Sequence, residues 1–259
     1  MRKTSAPPTD IVEFLQWFRL EMEMAWSQLQ DITSREIKNR DVGGVAFRAG
    51  TKWKPGLTDE EIDEIEANWK IRFPPDHRHF LSVLNAPDRA CISWGYTEPG
   101  TGVKSTLEQG PDCAVFCDWY GDPADIEARL QEPLEGLLFD IEYNSLWRPA
   151  WGKEPESLDE KKHQATSIVR NSPQLLPIYS HRYSAEFPEM PGTPILSVHQ
   201  SDVIVYGVDM RQYLLAEFGD FMNIDPDDAI ELQLAAASNF AVGSIPFWGD
   251  LVMSGTEAV

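Results

Sequence analysis

Apolar residues recur at spacings of three and four over the first thirty positions, with Ile11, Phe14, Leu15, Phe18, Met22, Trp26 and Leu29 on one side of a helical projection. Asp10 stands at the N-cap position, where a carboxylate can accept from the first free backbone N–H groups. The spacing therefore predicts a long amphipathic helix whose stripe is a core face. The stretch "NRDVGGVAFRAGTKWKPG" follows, and Gly43–Gly44 and Pro55–Gly56 mark it as a linker. That places an N-terminal helical extension and linker at residues 1–50 and the main domain at 51–259.

A sharper start signal lies in "LTDEEIDEIEANWKIRFPPD". Thr58 and Glu61 have capping-box spacing, so each can satisfy a backbone N–H of the other. Ile62, Ile65 and Trp69 share a face of this helix, and Phe73-Pro74-Pro75 is expected to stop it. Asp76 can cap the next short helix, which buries Phe80, Leu81 and Leu84 and ends at Asn85, a residue that tolerates the left-handed conformation.

The middle of the chain, "CISWGYTEPGTG", "CAVFCDWYGDP" and "LLFDIEYNSLW", alternates short aromatic runs with Gly and Pro and reads as strands and turns. Between them Asp122-Pro123 opens a helix through "ADIEARLQ", limited by Pro133. Ser157 and Glu160 repeat the capping-box pattern. "LLPIY" reads as a strand, and "PILSVHQSDVIVYG" as two strands joined near Ser201-Asp202. Asp209 then begins a helix that ends before Gly219, and Asp225-Pro226 begins another. Helix pairs, then antiparallel strands, then helices predict an α+β fold.

Composition narrows the function classes. A chain with 42% hydrophobic and 25% charged residues is globular. Acidic residues number 42 against 22 basic, a net charge of −20, which argues against nucleic acid as partner because phosphate binding needs a basic face. The same charge suits either plain solubility or a basic protein partner. Three cysteines do not make a disulfide framework, "MRKTSAPPTD" lacks the apolar stretch of a secretion signal, and no window has the length of a membrane span. A cytoplasmic protein with no membrane partner is the expectation.

The sequence lacks a P-loop, a strand–helix GxGxxG and a GxSxG elbow. No cofactor or catalytic residue is expected. His77-x-His79 and Cys113-x₃-Cys117 are poor metal ligands, since zinc requires three or four converging N or S atoms and the cysteines sit in a half-buried run. Two clusters remain. Trp147, Arg148 and Trp151 carry hot-spot residue types, or else form core with Arg148 stacked on an indole. "LLPIYSHRYSAEF" brings together His181, Arg182 and Tyr183, with His199 and Asp202 nearby in the strands that follow. These residues could line a ligand pocket or a partner surface. The other reading is a structural corner in which Arg182 pairs with Asp202 or Asp209 and His181 bonds a loop carbonyl.

The run "GLTDEEIDEIEANWKIRFPPDHRHFLSVLNAP" resembles the opening signature of the SUKH superfamily, the Smi/Knr-like proteins. Leu57, Thr58, Ile62, Glu66, Phe73, Pro74, Asp76, Phe80, Leu81 and Asn85 match, whereas the glycine customary after the Asn is replaced by Ala86-Pro87. Later segments, among them "LLPIYSHRY" and "IPFWGDL", extend the likeness to residues 57–251. The resemblance implies a mainly antiparallel sheet flanked by helices and no catalytic residues. It further implies an immunity protein that neutralises a secreted nuclease or other polymorphic toxin by direct binding. A basic toxin domain would be the partner; the oligomeric state is left open. A regulatory scaffold and a small-ligand binder or enzyme at His181, Arg182 and Tyr183 are the alternatives.

Overall fold

The computed structural model describes residues 6–32, 44–94, 116–121, 123–222, 224 and 245–255. Its elements, in chain order, are α1 (Ile11–Gln28), β1 (Gly44–Ala46), α2 (Asp59–Trp69), α3 (Pro75–Val83), β2 (Ile92–Trp94), α4 (Pro123–Tyr143), α5 (Leu158–Arg170), β3 (Leu175–Tyr179), β4 (Arg182–Ala185), β5 (Ile195–His199), β6 (Asp202–Gly207), α6 (Met210–Phe218) and α7 (Trp248–Gly255). Strands β3 to β6 form a four-stranded antiparallel sheet in sequential order, and β1 pairs antiparallel with β2. The fold is α+β.

Almost every residue of β3, β4 and β5 is buried. Successive side chains of a strand point to opposite faces, so this requires cover on both sides. Leu176, Ile178 and Ile195 join one core with α1, α3 and α6; Leu175, Tyr183, Leu196, Val198 and Val203 join a second with α4 and α7. The sheet is thus a middle layer between two helical layers. This explains why its strands read as continuous apolar runs and not as an alternation.

The first core is aromatic. Phe18 of α1 lies 5.8 Å from Phe218, Trp53 lies 4.7 Å from Phe116, and Phe116 lies 5.3 Å from Phe218, measured between ring centroids. Helix α1, capped by Asp10 as expected, buries Phe14, Leu15, Phe18, Met22 and Trp26 in this core. It is therefore packed within the main domain and is not an appendage to it. The linker reading also needs correction: its residues include β1 and the buried Phe47 and Trp53.

Several local signals appear as read. Thr58 and Glu61 form a complete capping box, Ser157 and Asp209 cap α5 and α6, and Asn85 is left-handed at φ 51°. Others differ. Helix α2 ends at Trp69 with Lys70 left-handed at φ 56°, ahead of the proline pair. Pro74 occupies the N-cap of α3, and the Asp76 carboxylate instead accepts from the Gly192 N–H at 2.7 Å, pinning the loop between β4 and β5. Gly219 follows α6 in right-handed conformation at φ −55°, and a 3₁₀ turn continues from it.

The largest correction concerns α4, which runs through Pro133 to Tyr143 and turns "LLFDIEY" from expected strand into helix. Ile126, Pro133, Leu137 and Ile141 fall on one buried face, and that burial outweighs the hydrogen bond a proline removes. The Arg129 carbonyl, which would have accepted from residue 133, lies 3.5 Å from the buried Tyr183 hydroxyl. Readings that involve Gly95 to Gly102, Cys113, Asp122 and the helix from Asp225 lie outside the described residues.

Candidate functional site

The three consecutive residues His181, Arg182 and Tyr183 occupy three separate environments. His181 sits with Ser180 in the tight turn between β3 and β4, because Tyr179 pairs directly with Arg182. Arg182 then points into the first core's side of the sheet, and Tyr183 points into the second. The turn and the alternation of β4 separate them, so they do not converge on one pocket.

Arg182 is held from three elements. Its Nη1 donates to Ser197 Oγ at 3.0 Å across the β4–β5 pair, and its guanidinium carbon lies 3.7 Å over the ring of Tyr206 on β6. Its Nε stands 3.3 Å from Oε2 of Glu217 on α6, close enough for strong attraction but misaligned for a hydrogen bond. Glu217, and neither Asp202 nor Asp209, is its carboxylate partner; Asp202 is exposed on the β5–β6 turn, and Asp209 is occupied with the α6 cap. Burial pushes the nearby Tyr179 and Tyr213 phenols well up, so both stay neutral.

His181 is half-buried, and its Nδ1 lies 3.1 Å from Ser180 Oγ; its partner is this hydroxyl and not the loop carbonyl expected. Burial, then the charge of Arg182, then His199 lower its pKa to about 4, which leaves the ring neutral at pH 7. The Tyr183 hydroxyl donates to Glu132 at 2.8 Å, and burial beside that carboxylate raises its pKa. His199 is exposed and pairs in register with Asp202 at the β5–β6 turn.

The tryptophan cluster divides in the same way. Trp151 is buried in the second core, 5.6 Å from Phe247, with Trp147 edge-on to it at 5.6 Å. Trp147 is half-buried and donates Nε1–H to the Gly152 carbonyl at 3.0 Å. Arg148 is also half-buried, and its Nε has no hydrogen-bond partner among the described residues.

One pairing has no signal in the sequence. His77 Nδ1 on α3 lies 2.8 Å from Ser184 Oγ on β4, the spacing of a base and a nucleophile. The pair is sealed, with Ser184 0% and His77 1% exposed, and Phe73, Phe80 and Trp119 surround the imidazole. Burial lowers the His77 pKa to about 3. A neutral, solvent-excluded pair of this kind docks α3 on the sheet.

A cleft of about 430 Å³ opens elsewhere, between the end of α2, the side of α4 and the end of α5, with Trp69, Lys70, Arg170 and Glu186 on its walls. Burial raises the Glu186 pKa against the pull of backbone hydrogen bonds. Cys117 is buried and its thiol is pushed up to about 12, which leaves it unreactive at pH 7. Among the described residues, no three His, Cys, Asp or Glu side chains group as metal ligands, and no helix is long and apolar enough to cross a membrane.

Compared with protein-family models, curated proteins and solved structures, the chain matches none.

Proposed function

We propose that this chain is a non-enzymatic binding protein that acts in the cytoplasm and neutralises a basic, toxin-type protein domain by direct contact. The observation that carries the reading is charge: 42 acidic residues against 22 basic leave a net −20 that steers cationic partners toward the surface. The resemblance of residues 57–251 to the SUKH superfamily supports it. The disposition of the best catalytic candidates supports it too, since Arg182 is engaged by Glu217 and Ser197 while His77 and Ser184 are closed to solvent. Co-expression with the protein encoded next to it tests the reading. Growth is rescued and the two proteins co-elute on gel filtration if it is right; growth arrest with separate elution rejects it.

A second reading, small-molecule binding, draws on the cleft near Glu186 and not on the corner at Arg182. Under that reading Glu186→Gln shifts the thermal stabilisation given by a ligand from a metabolite screen. A screen without any stabilising compound rejects it.

A further inference from the structure

Helix α4 has one solvent-facing arc, and its contents are uneven. The exposed positions include Glu132, Glu135, Phe139, Glu142 and Tyr143, at spacings of three and four. Phe139 is 45% and Tyr143 64% exposed, and their rings lie against each other, tilted by 39° with centroids 4.7 Å apart. Two large aromatic rings that face water side by side are unlike scattered surface apolar residues. The only basic residue of α4 is Arg129, which is buried and paired with Asp125. Glu135 makes no ion pair among the described residues, whereas Glu142 is met at one edge by Lys162 of α5.

The arc is also rigid. Leu137 and Ile141 anchor the opposite side of α4 in the second core. Asp140 accepts from the backbone N–H and the hydroxyl of Ser201, which ties the helix to the β5–β6 turn. A platform fixed in this way loses little conformational freedom on binding, and aromatic side chains ringed by charge are the residue types that dominate interface energetics.

We propose that the outer arc of α4, with Phe139 and Tyr143 at its centre and Glu135 and Glu142 beside them, is the surface that docks a Lys- and Arg-bearing face of the partner protein. This rests on the binding reading above. Its carboxylates match a cationic partner and disfavour a second copy of this acidic chain. Of the sequence-based candidates, Trp147 follows α4 in the chain and His199 is near enough to act on Asp140 through its charge, and neither forms the centre of the arc.

The test measures the affinity of the full chain for the protein encoded next to it, across a salt series. Phe139→Ala with Tyr143→Ala raises Kd about tenfold or more with the melting temperature unchanged. Glu135→Lys weakens binding and reduces its salt dependence. Glu60→Gln with Glu64→Gln, on the exposed side of α2, changes Kd by less than about twofold, because exposed charges away from the contact act only through screened long-range attraction. If the wild-type chain binds and both α4 variants bind equally well, the surface assignment is wrong and the binding reading survives. If the wild-type chain does not bind, both fall together. Self-association of the wild-type chain that Phe139→Ala with Tyr143→Ala abolishes assigns the surface to a second copy and overturns the proposal.

Discussion

Asp140 of α4 and Ser201 of the β5–β6 turn are joined by two hydrogen bonds to one carboxylate oxygen, from the serine N–H at 2.9 Å and from its hydroxyl. Asn144 donates to the other oxygen at 2.6 Å. Burial favours the protonated acid here, but these donors outweigh it and hold the carboxyl below its ordinary pKa. Asp140→Asn retains the size and one accepting oxygen but turns the other into an NH2 that faces the donors of either Ser201 or Asn144, so it is expected to destabilise the fold by about 1–3 kcal/mol in urea unfolding. An unchanged midpoint would show that the clamp contributes nothing.

Gly136 lies one turn ahead of Asp140, and a Cβ there would come within 2.8 Å of the Gln200 Cα. Helix propensity favours Gly136→Ala by up to about 1 kcal/mol, whereas contact with backbone costs about 1–3 kcal/mol. The contact should win because a main-chain atom cannot swing away. A lower melting temperature is the expected result, and a higher one would mean that the turn is free to shift.

Arg182 and Glu217 set a second expectation. Arg182→Ala strands a carboxylate that is only 19% exposed, and about 1–3 kcal/mol of stability should be lost. Arg182→Met with Glu217→Gln should cost less than the sum of the single changes, because neither charge is then left alone. Partner binding by the folded fraction should persist. A variant that melts like wild type and fails to bind would instead make this corner a contact surface.

His77 predicts how stability depends on pH. Its folded pKa of about 3 lies below the ordinary 6.5, so the unfolded chain takes up a proton that the folded chain refuses. Stability is therefore present above pH 6.5 and is lost as pH falls toward 3, at no more than about 1.4 kcal/mol per pH unit for this group. His181, lowered to about 4, adds a weaker contribution of the same sign, since it is only half-buried. Asp76 and Glu186, both raised chiefly by burial, act in the opposite direction in acid. In His77→Gln, urea unfolding between pH 7 and 4.5 should show a shallower decline than in wild type. Equal slopes would mean that the imidazole is protonated in the fold.

The features that were legible in the sequence are local. Asp10, the Thr58–Glu61 box, Ser157 and Asp209 act within three residues of themselves, and each caps the helix its position predicts. Strands β3, β5 and β6 were legible because they are short apolar runs bounded by turns, whereas β4, with the polar Arg182 and Ser184, was not legible as a strand. What was not legible depends on contacts distant in the chain. Pro133 sits inside a helix because a buried face beyond it sustains the helix. Phe47 and Trp53 lie among Gly, Lys and Pro, and only the packing of α1 shows them to be core. His77 meets Ser184 across 107 positions and Arg182 meets Glu217 from the next layer, so neither partner could be named from spacing. The crowding of polar residues at 181–183 suggested one site, but the turn takes His181 and strand alternation sends Arg182 and Tyr183 to opposite faces of the sheet.

Calorimetric titration of the full chain with the protein encoded next to it, at low and at high salt, tests the binding account most directly. Saturable binding that weakens as salt screens the −20 charge, with loss of the partner's toxic activity, is the predicted result. No heat of binding at low salt, with the partner's activity unaffected, would contradict it.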